Sequence, residues 1–185
     1  MEPEDDLDAL VRAAQAGDEA ALNELLVRLQ PLVLRRCARF LPYRVDAEEA
    51  AQDALLAISR SLRSYTGRGS FHGWVTVIAS NCARATYRSL RRRAEVAGVP
   101  PQLEGIDPQT TSVIAGTRLD LVETIDALGA AHPDLVEPFV LRDLGELAYD
   151  EIAETIGLPL STVRDRIHRA RTFVRSRLRV QPDER

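Results

Sequence analysis

Between Tyr149 and Leu178 the chain repeats apolar residues at helical spacing twice, and Gly157 and Pro159 forbid the two runs from being one helix. Ile152, Ala153 and Ile156 form the first stripe. Gly157 follows at once, where a helix end favours a left-handed residue, and Pro159 blocks simple continuation. Ser161 or Thr162 can cap a second helix by accepting a backbone N–H bond. There Val163, Ile167, Ala170 and Val174 turn one face inward. The other faces carry Arg164, Asp165, Arg166, His168, Arg169, Arg171, Arg175 and Arg177. Two helices, a tight turn and a basic second helix make a helix-turn-helix, whose second helix enters the DNA major groove. A helical hairpin with a merely solvated basic face is the plainer reading. The Gly turn, the cap after Pro159 and the near-absence of acid favour DNA.

The rest of the chain reads as helix too. Leu7, Leu10, Val11 and Ala14 make a short amphipathic helix ending at Gly17. Asp18 caps the next, with Leu22, Leu25, Leu26 and Leu29 in its stripe and a kink expected at Pro31. Asp46 and Glu49 read as a capping box opening a third helix. Its exposed side carries Glu48, Glu49, Gln52 and Asp53. Solvation and a favourable helix dipole explain that face; a docking surface for a basic partner also would. After the loop Tyr65–Ser70, Ser70 caps a fourth helix with Phe71, Trp74, Val75, Ile78 and Cys82 on one side. Ser80, Asn81, Arg84 and Arg88 lie on another side, and the helix ends in Arg91, Arg92 and Arg93. Tyr65 and Trp74 beside amide and guanidinium groups suit unstacked bases, since aromatics stack on bases and arginines track phosphates. Phe71 and Trp74 also suit a core. Ala94 to Thr117 loses all periodicity and reads as a linker. Helical signal returns at Leu119, Val122, Ile125 and Leu128, then from Pro133 to Leu144 with Pro138 inside.

The expected fold class is therefore all-α, with two small helical domains: residues 5–93 and 118–178, joined by a flexible linker at 94–117. The net charge of −4 argues against a uniformly basic surface. The charges are instead segregated, as suits a protein with both DNA and protein partners. All 24 basic residues are arginine. No apolar run approaches the ~18 residues of a membrane span, and the acidic start lacks the features of a signal peptide. A cytoplasmic protein without membrane insertion is expected. Cys37 and Cys82 read as reduced core residues, and His72, His132 and His168 form no ligand-spaced cluster with them. No metal, cofactor or catalytic constellation is expected, so the chain reads as no enzyme.

Four segments together resemble the extracytoplasmic-function (ECF, group IV) sigma factors of bacterial RNA polymerase. Asp46 to Asp53 looks like the family's segment that docks on the β′ clamp helices. Phe71 to Asn81 looks like its promoter-melting segment, and Arg88 to Arg93 like the basic end of that helix. Ala148 to Arg171 looks like its −35 reader. Ala85 stands where the family often has Asp, Ala148 where it often has Ser, and Asp165 where a small residue is common. The usual Leu-Pro pair before the last three helices is replaced by Leu128-Gly-Ala-Ala-His, with Pro133 late.

The resemblance implies an alternative sigma factor that binds core RNA polymerase and directs initiation at particular promoters. Asp46, Glu48, Glu49, Gln52 and Asp53 would touch polymerase. Tyr65, Trp74, Ser80, Asn81, Arg84, Arg88, Arg91 and Arg92 would touch the −10 element. Ser161, Thr162, Arg164, Asp165, Arg166, His168, Arg169 and Arg171 would touch the −35 element. The second domain would also contact the β flap, and an anti-sigma factor is a further implied partner. The alternative is a stand-alone helix-turn-helix transcriptional regulator, which leaves the acidic third helix and the Tyr65–Arg93 block unexplained.

Overall fold

A computed structural model describes residues 3–41, 43–67, 69–97 and 112–178. The described residues form eight α-helices, a 3₁₀ turn and a π-helical turn, with no strand among them. Helices α1 (Pro3–Gln15), α2 (Glu19–Cys37), α3 (Arg44–Ser61) and α4 (Phe71–Ala97) make the first bundle. Leu25, Val33, Cys37, Ala50, Ala54, Ile58, Val75 and Ala79 are fully buried within it. The alanines on α3 and α4 let the axes come close, which a bundle of thin helices requires. The second bundle comprises α5 (Ser112–Ala131), α6 (Pro133–Phe139), a π-helical turn (Val140–Leu144), α7 (Tyr149–Ile156) and α8 (Leu160–Leu178). Val163, Ile167 and Ala170 of α8 are buried, as the spacing predicts.

Local stop and start signals act largely as expected. The Asp18 carboxylate accepts from the Ala20 and Ala21 N–H groups at 2.9 and 3.0 Å. The Ser70 hydroxyl accepts from the Gly73 N–H at 3.0 Å. Gly157 is left-handed, with φ 68°. Two caps differ. Helix α3 starts at Arg44, ahead of Asp46, and Tyr43 at its cap makes no side-chain cap bond. An Arg44–Glu48 pair at 2.7 Å stitches that first turn instead. Helix α8 starts at Leu160, so Ser161 and Thr162 lie inside its first turn rather than at its cap. The Pro159 carbonyl receives the Val163 N–H at 3.1 Å; proline's fixed φ suits a helix start. Helix α2 continues through Pro31 to Cys37. Helices α4 and α5 reach into the expected linker from both sides, to Ala97 and from Ser112; the rest of that stretch lies outside the described residues.

The two bundles meet. Arg36 and Arg39 of α2 both donate to the Leu144 carbonyl at 2.9 Å. Arg39 also pairs with Glu146, which holds a left-handed φ of 60°. Apolar contact continues the seam, where Val77 of α4 packs on the cluster of Leu141, Leu147, Ile152, Val163 and Ile167. Two glycines permit the approach. A Cβ at Gly73 would lie 2.8 Å from Thr155 Oγ1 and 3.0 Å from Leu147. One at Gly145 would lie 2.4 Å from the Leu141 carbonyl and 2.9 Å from Thr76.

Candidate nucleic-acid and polymerase interfaces

Helix α8 divides its arginines between two jobs. Arg171 Nε lies 3.1 and 3.0 Å from the two Asp143 carboxylate oxygens, and Arg171 also donates to Tyr149 Oη at 3.4 Å. Asp143 holds the Arg171 pKa above its usual value. Arg166 Nε lies 3.5 Å from Asp134. Both arginines therefore tie α8 to the scaffold. Ser161, Arg164, Asp165, His168 and Arg169 are exposed, and Thr162 is half-buried. The Arg164 and His168 side chains make no ion pair or hydrogen bond among the described residues. Arg169 reaches Asp165 at 3.7 Å, one helical turn away. The outward arc is thus cationic with one internal acid, a pattern that fits a phosphate-lined groove.

On the first bundle, Tyr65, Phe71 and Trp74 form an aromatic cluster with ring centroids 5.3 to 5.6 Å apart. Phe71 is buried, whereas Tyr65 and Trp74 keep part of their surface. Gln15 anchors the loop by donating to the Leu62 and Tyr65 carbonyls at 2.9 and 2.8 Å. Further along α4, Ser80 is buried, and Asn81, Arg88, Arg91 and Arg92 are exposed; the helix continues past these arginines to Ala97. The Arg84 side chain is only 15% exposed. Burial lowers its pKa more than Asp126 raises it, and its Nε is buried without an acceptor. Ser80, Asn81, Arg84 and Arg88 share a cavity of about 630 Å³ with Asp126, Pro133 and Glu137 of the second bundle.

The acidic face of α3 is also an apolar one. Glu49, Gln52 and Asp53 are exposed, and Glu48 and Asp46 are half-buried. Burial and Glu49 push the Asp46 carboxyl up, and Arg93 opposes them. Val45 is 74% exposed and Leu56 48%. Positions 45, 49, 52 and 56 follow the helical repeat, so these side chains make one outward stripe. Sequence reading picked the charges and missed the two aliphatic residues. Leu56 carries a signal in the sequence, since it sits two residues from both Ala54 and Ile58 of the buried stripe, about 200° around the helix.

The fold and these faces define a two-part helical protein with a helix-turn-helix and a separate aromatic–arginine face. Residues 25–93 match the model of sigma-70 region 2, and residues 132–174 match that of sigma-70 region 4. The chain is 30% identical to the ECF RNA polymerase sigma-E factor of Haemophilus influenzae, over 92% of this chain and 94% of that one. It is 32% identical to the Escherichia coli K12 sigma-E factor, over 94% and 93%. Among solved structures it resembles CnrH in complex with the cytosolic domain of CnrY, with TM-score 0.55 and 22% identity over 94% of this chain and 97% of that one. The chain belongs to the ECF sigma factors and is an alternative sigma factor. That family comprises transcription initiation factors. No helix among the described residues is long and apolar enough to cross a membrane.

Proposed function

We propose that the chain places core RNA polymerase on a specific set of promoters through three separate faces. The α3 stripe of Val45, Glu49, Gln52, Asp53 and Leu56, with Asp46 and Glu48 beside it, docks on the β′ clamp helices. Exposed aliphatic side chains among acids suit a partner that offers both arginines and apolar surface. The α4 face, with Tyr65, Trp74, Ser80, Asn81, Arg84, Arg88, Arg91 and Arg92, holds the displaced −10 strand. Unstacking costs a few kcal/mol per base, and stacking on an aromatic returns about 1–3 kcal/mol per base. Helix α8 reads the −35 element through Ser161, Thr162, Arg164, Asp165, His168 and Arg169. Arg166 and Arg171 hold that helix at the right angle, and the second bundle contacts the β flap. The work is done in the cytoplasm, where polymerase is. An anti-sigma factor is a further partner of this reading.

The observation that carries the reading is the division of labour on α8. Its scaffold arginines are paired to acids of its own bundle, while Arg164 and His168 make no ion pair among the described residues. The test is run-off transcription with core polymerase on a promoter library. Promoter-dependent transcripts are expected, and Glu49→Arg with Asp53→Arg should abolish them and weaken capture of core in a pull-down. Transcription that never depends on the added protein would leave only a stand-alone regulator.

A further inference from the structure

The cavity of about 630 Å³ between the bundles has walls of two kinds. Val77 of α4, Val136 of α6, and Val140 and Leu141 of the π-helical turn supply apolar surface. Asn81, Arg84 and Arg88 of α4 supply polar groups from one bundle, and Asp126 of α5 and Glu137 of α6 supply them from the other. Both the volume and the mixture suit a small-molecule site, which commonly spans about 300–1,000 Å³ and sets a few polar groups in apolar walls.

Three of those polar groups are unspent. The Arg84 Nε is buried without an acceptor. The nearest Asp126 oxygen is 3.8 Å from Arg84 Nη2, beyond a hydrogen bond. The Asn81 side chain makes no hydrogen bond, and the Glu137 carboxylate no ion pair, among the described residues. A buried donor left without an acceptor is costly, and so marks a place where a partner belongs.

The charges around the cavity decide what kind of partner. Two guanidinium groups face two carboxylates. A plain anion would gain at Arg84 and lose at Asp126 and Glu137, and a plain cation would do the reverse. A zwitterion gains at both ends, because each charge meets a charge-assisted hydrogen bond. Its carboxylate accepts from Arg84 Nε and the Asn81 amide, its ammonium donates to Glu137, and an apolar body covers the valines.

We propose that this cavity is a binding site for a small zwitterion with an apolar body, of the class of aliphatic and aromatic α-amino acids. The binding requires no DNA, and it would stand if α4 touched none.

The experiment titrates L-leucine and L-phenylalanine into the full chain and follows proton–nitrogen correlation spectra. The Arg84 Nε–H and the Asn81 side-chain amide report directly on the cavity. At least one of the two amino acids should shift both signals saturably, with a dissociation constant of about a millimolar or tighter, as about nine to twelve heavy atoms allow. Leucinamide lacks the carboxylate and isocaproate lacks the ammonium, and each should bind at least about tenfold more weakly than leucine. Glu137→Gln keeps the shape of an exposed side chain and should weaken leucine by a similar factor while leaving isocaproate unchanged. Ala130→Trp fills the cavity from an exposed lining position and should abolish binding without moving the urea midpoint. No saturable shift from either amino acid at about 20 mM, well above a millimolar constant, overturns the proposal. So does equal binding of leucine and its two singly charged analogues, which would mark an apolar crease rather than a two-ended site. Wild-type leucine affinity in Glu137→Gln would overturn it as well.

Discussion

Removing Asp143 tests whether Arg171 holds the fold or reads DNA. Arg171 sits on α8 near the residues proposed to read DNA, yet its guanidinium is turned to a carboxylate 28 positions earlier. Both Asp143 oxygens are engaged, and the two side chains are 26% and 35% exposed. Coulomb attraction alone at such a distance is about 1 kcal/mol in water and about 4 kcal/mol near a protein surface. Desolvation and side-chain ordering offset part of it, so a net ~1.5–3 kcal/mol fits a charged, bidentate hydrogen bond. Asp143→Ala should therefore destabilise the protein by about that amount, because it also leaves Arg171 half-buried without its partner. The assay is urea unfolding of wild type, Asp143→Ala, Arg171→Ala and the double variant. A coupling of about 1–2 kcal/mol is expected, well above the ~0.5 kcal/mol scatter of independent sites. Additive single effects would refute the pair as a structural brace. So would an Arg171→Ala variant that unfolds like wild type but loses −35 duplex affinity, since Arg171 would then be a DNA contact first.

Three further outcomes follow from the same geometry. Asp165→Ala should change duplex affinity by about twofold or less, because an exposed pair with Arg169 is worth only ~0.3–0.5 kcal/mol; lost preference at a cytosine-containing position of a −35 library would make Asp165 a base contact instead. Asn81→Ala should slow promoter opening more than it weakens the closed complex, read by permanganate reactivity of the bubble, and normal opening kinetics would remove Asn81 from the melting face. His72 lies at the seam, and burial first, then Arg36, lower its pKa below its ordinary 6.5, with Glu151 opposing and Arg35 adding to the fall. The folded protein thus binds this proton less readily than the unfolded chain, so its contribution is fully present above about pH 6.5 and is lost as pH falls through the lowered value. His72→Gln should flatten that part of the urea-midpoint profile against pH, and an unchanged profile would place the pH dependence elsewhere.

The readings that succeeded from sequence rest on chemistry confined to a turn. Asp18 and Ser70 satisfy N–H groups two or three residues ahead, and Gly157 needs only its own backbone freedom. The start of α3 shows the limit of such rules. Asp and Glu three apart look like a box, but the cap is Tyr43 rather than Asp46, so the helix begins three residues sooner, with an Arg44–Glu48 pair in its first turn. The roles of Arg166 and Arg171 were not legible, because their partners Asp134 and Asp143 lie 32 and 28 positions away. The seam was further out of reach, since Arg39 and Glu146 are separated by 107 positions. Val45 and Leu56 were overlooked for a different reason. An apolar residue reads by default as core, and only the helix phase shows that these two face outward.

The π-helical turn at Val140–Leu144 sets the angle at which α8 is presented. Its widened ring is closed by the Gly145 N–H reaching back to the Val140 carbonyl at 2.8 Å. A turn of this kind holds one residue more than a regular α-helical turn. Deleting that residue would heal the helix and rotate all that follows by about 100°, the angle one residue subtends. No substitution within α8 can produce such a rotation. The azimuth of α8 is therefore stored as a count of residues upstream of it. The same extra residue shapes the end of the turn, where the Leu144 carbonyl meets two arginines of the other bundle. A change of length here would re-aim α8 and unfasten the protein in one step.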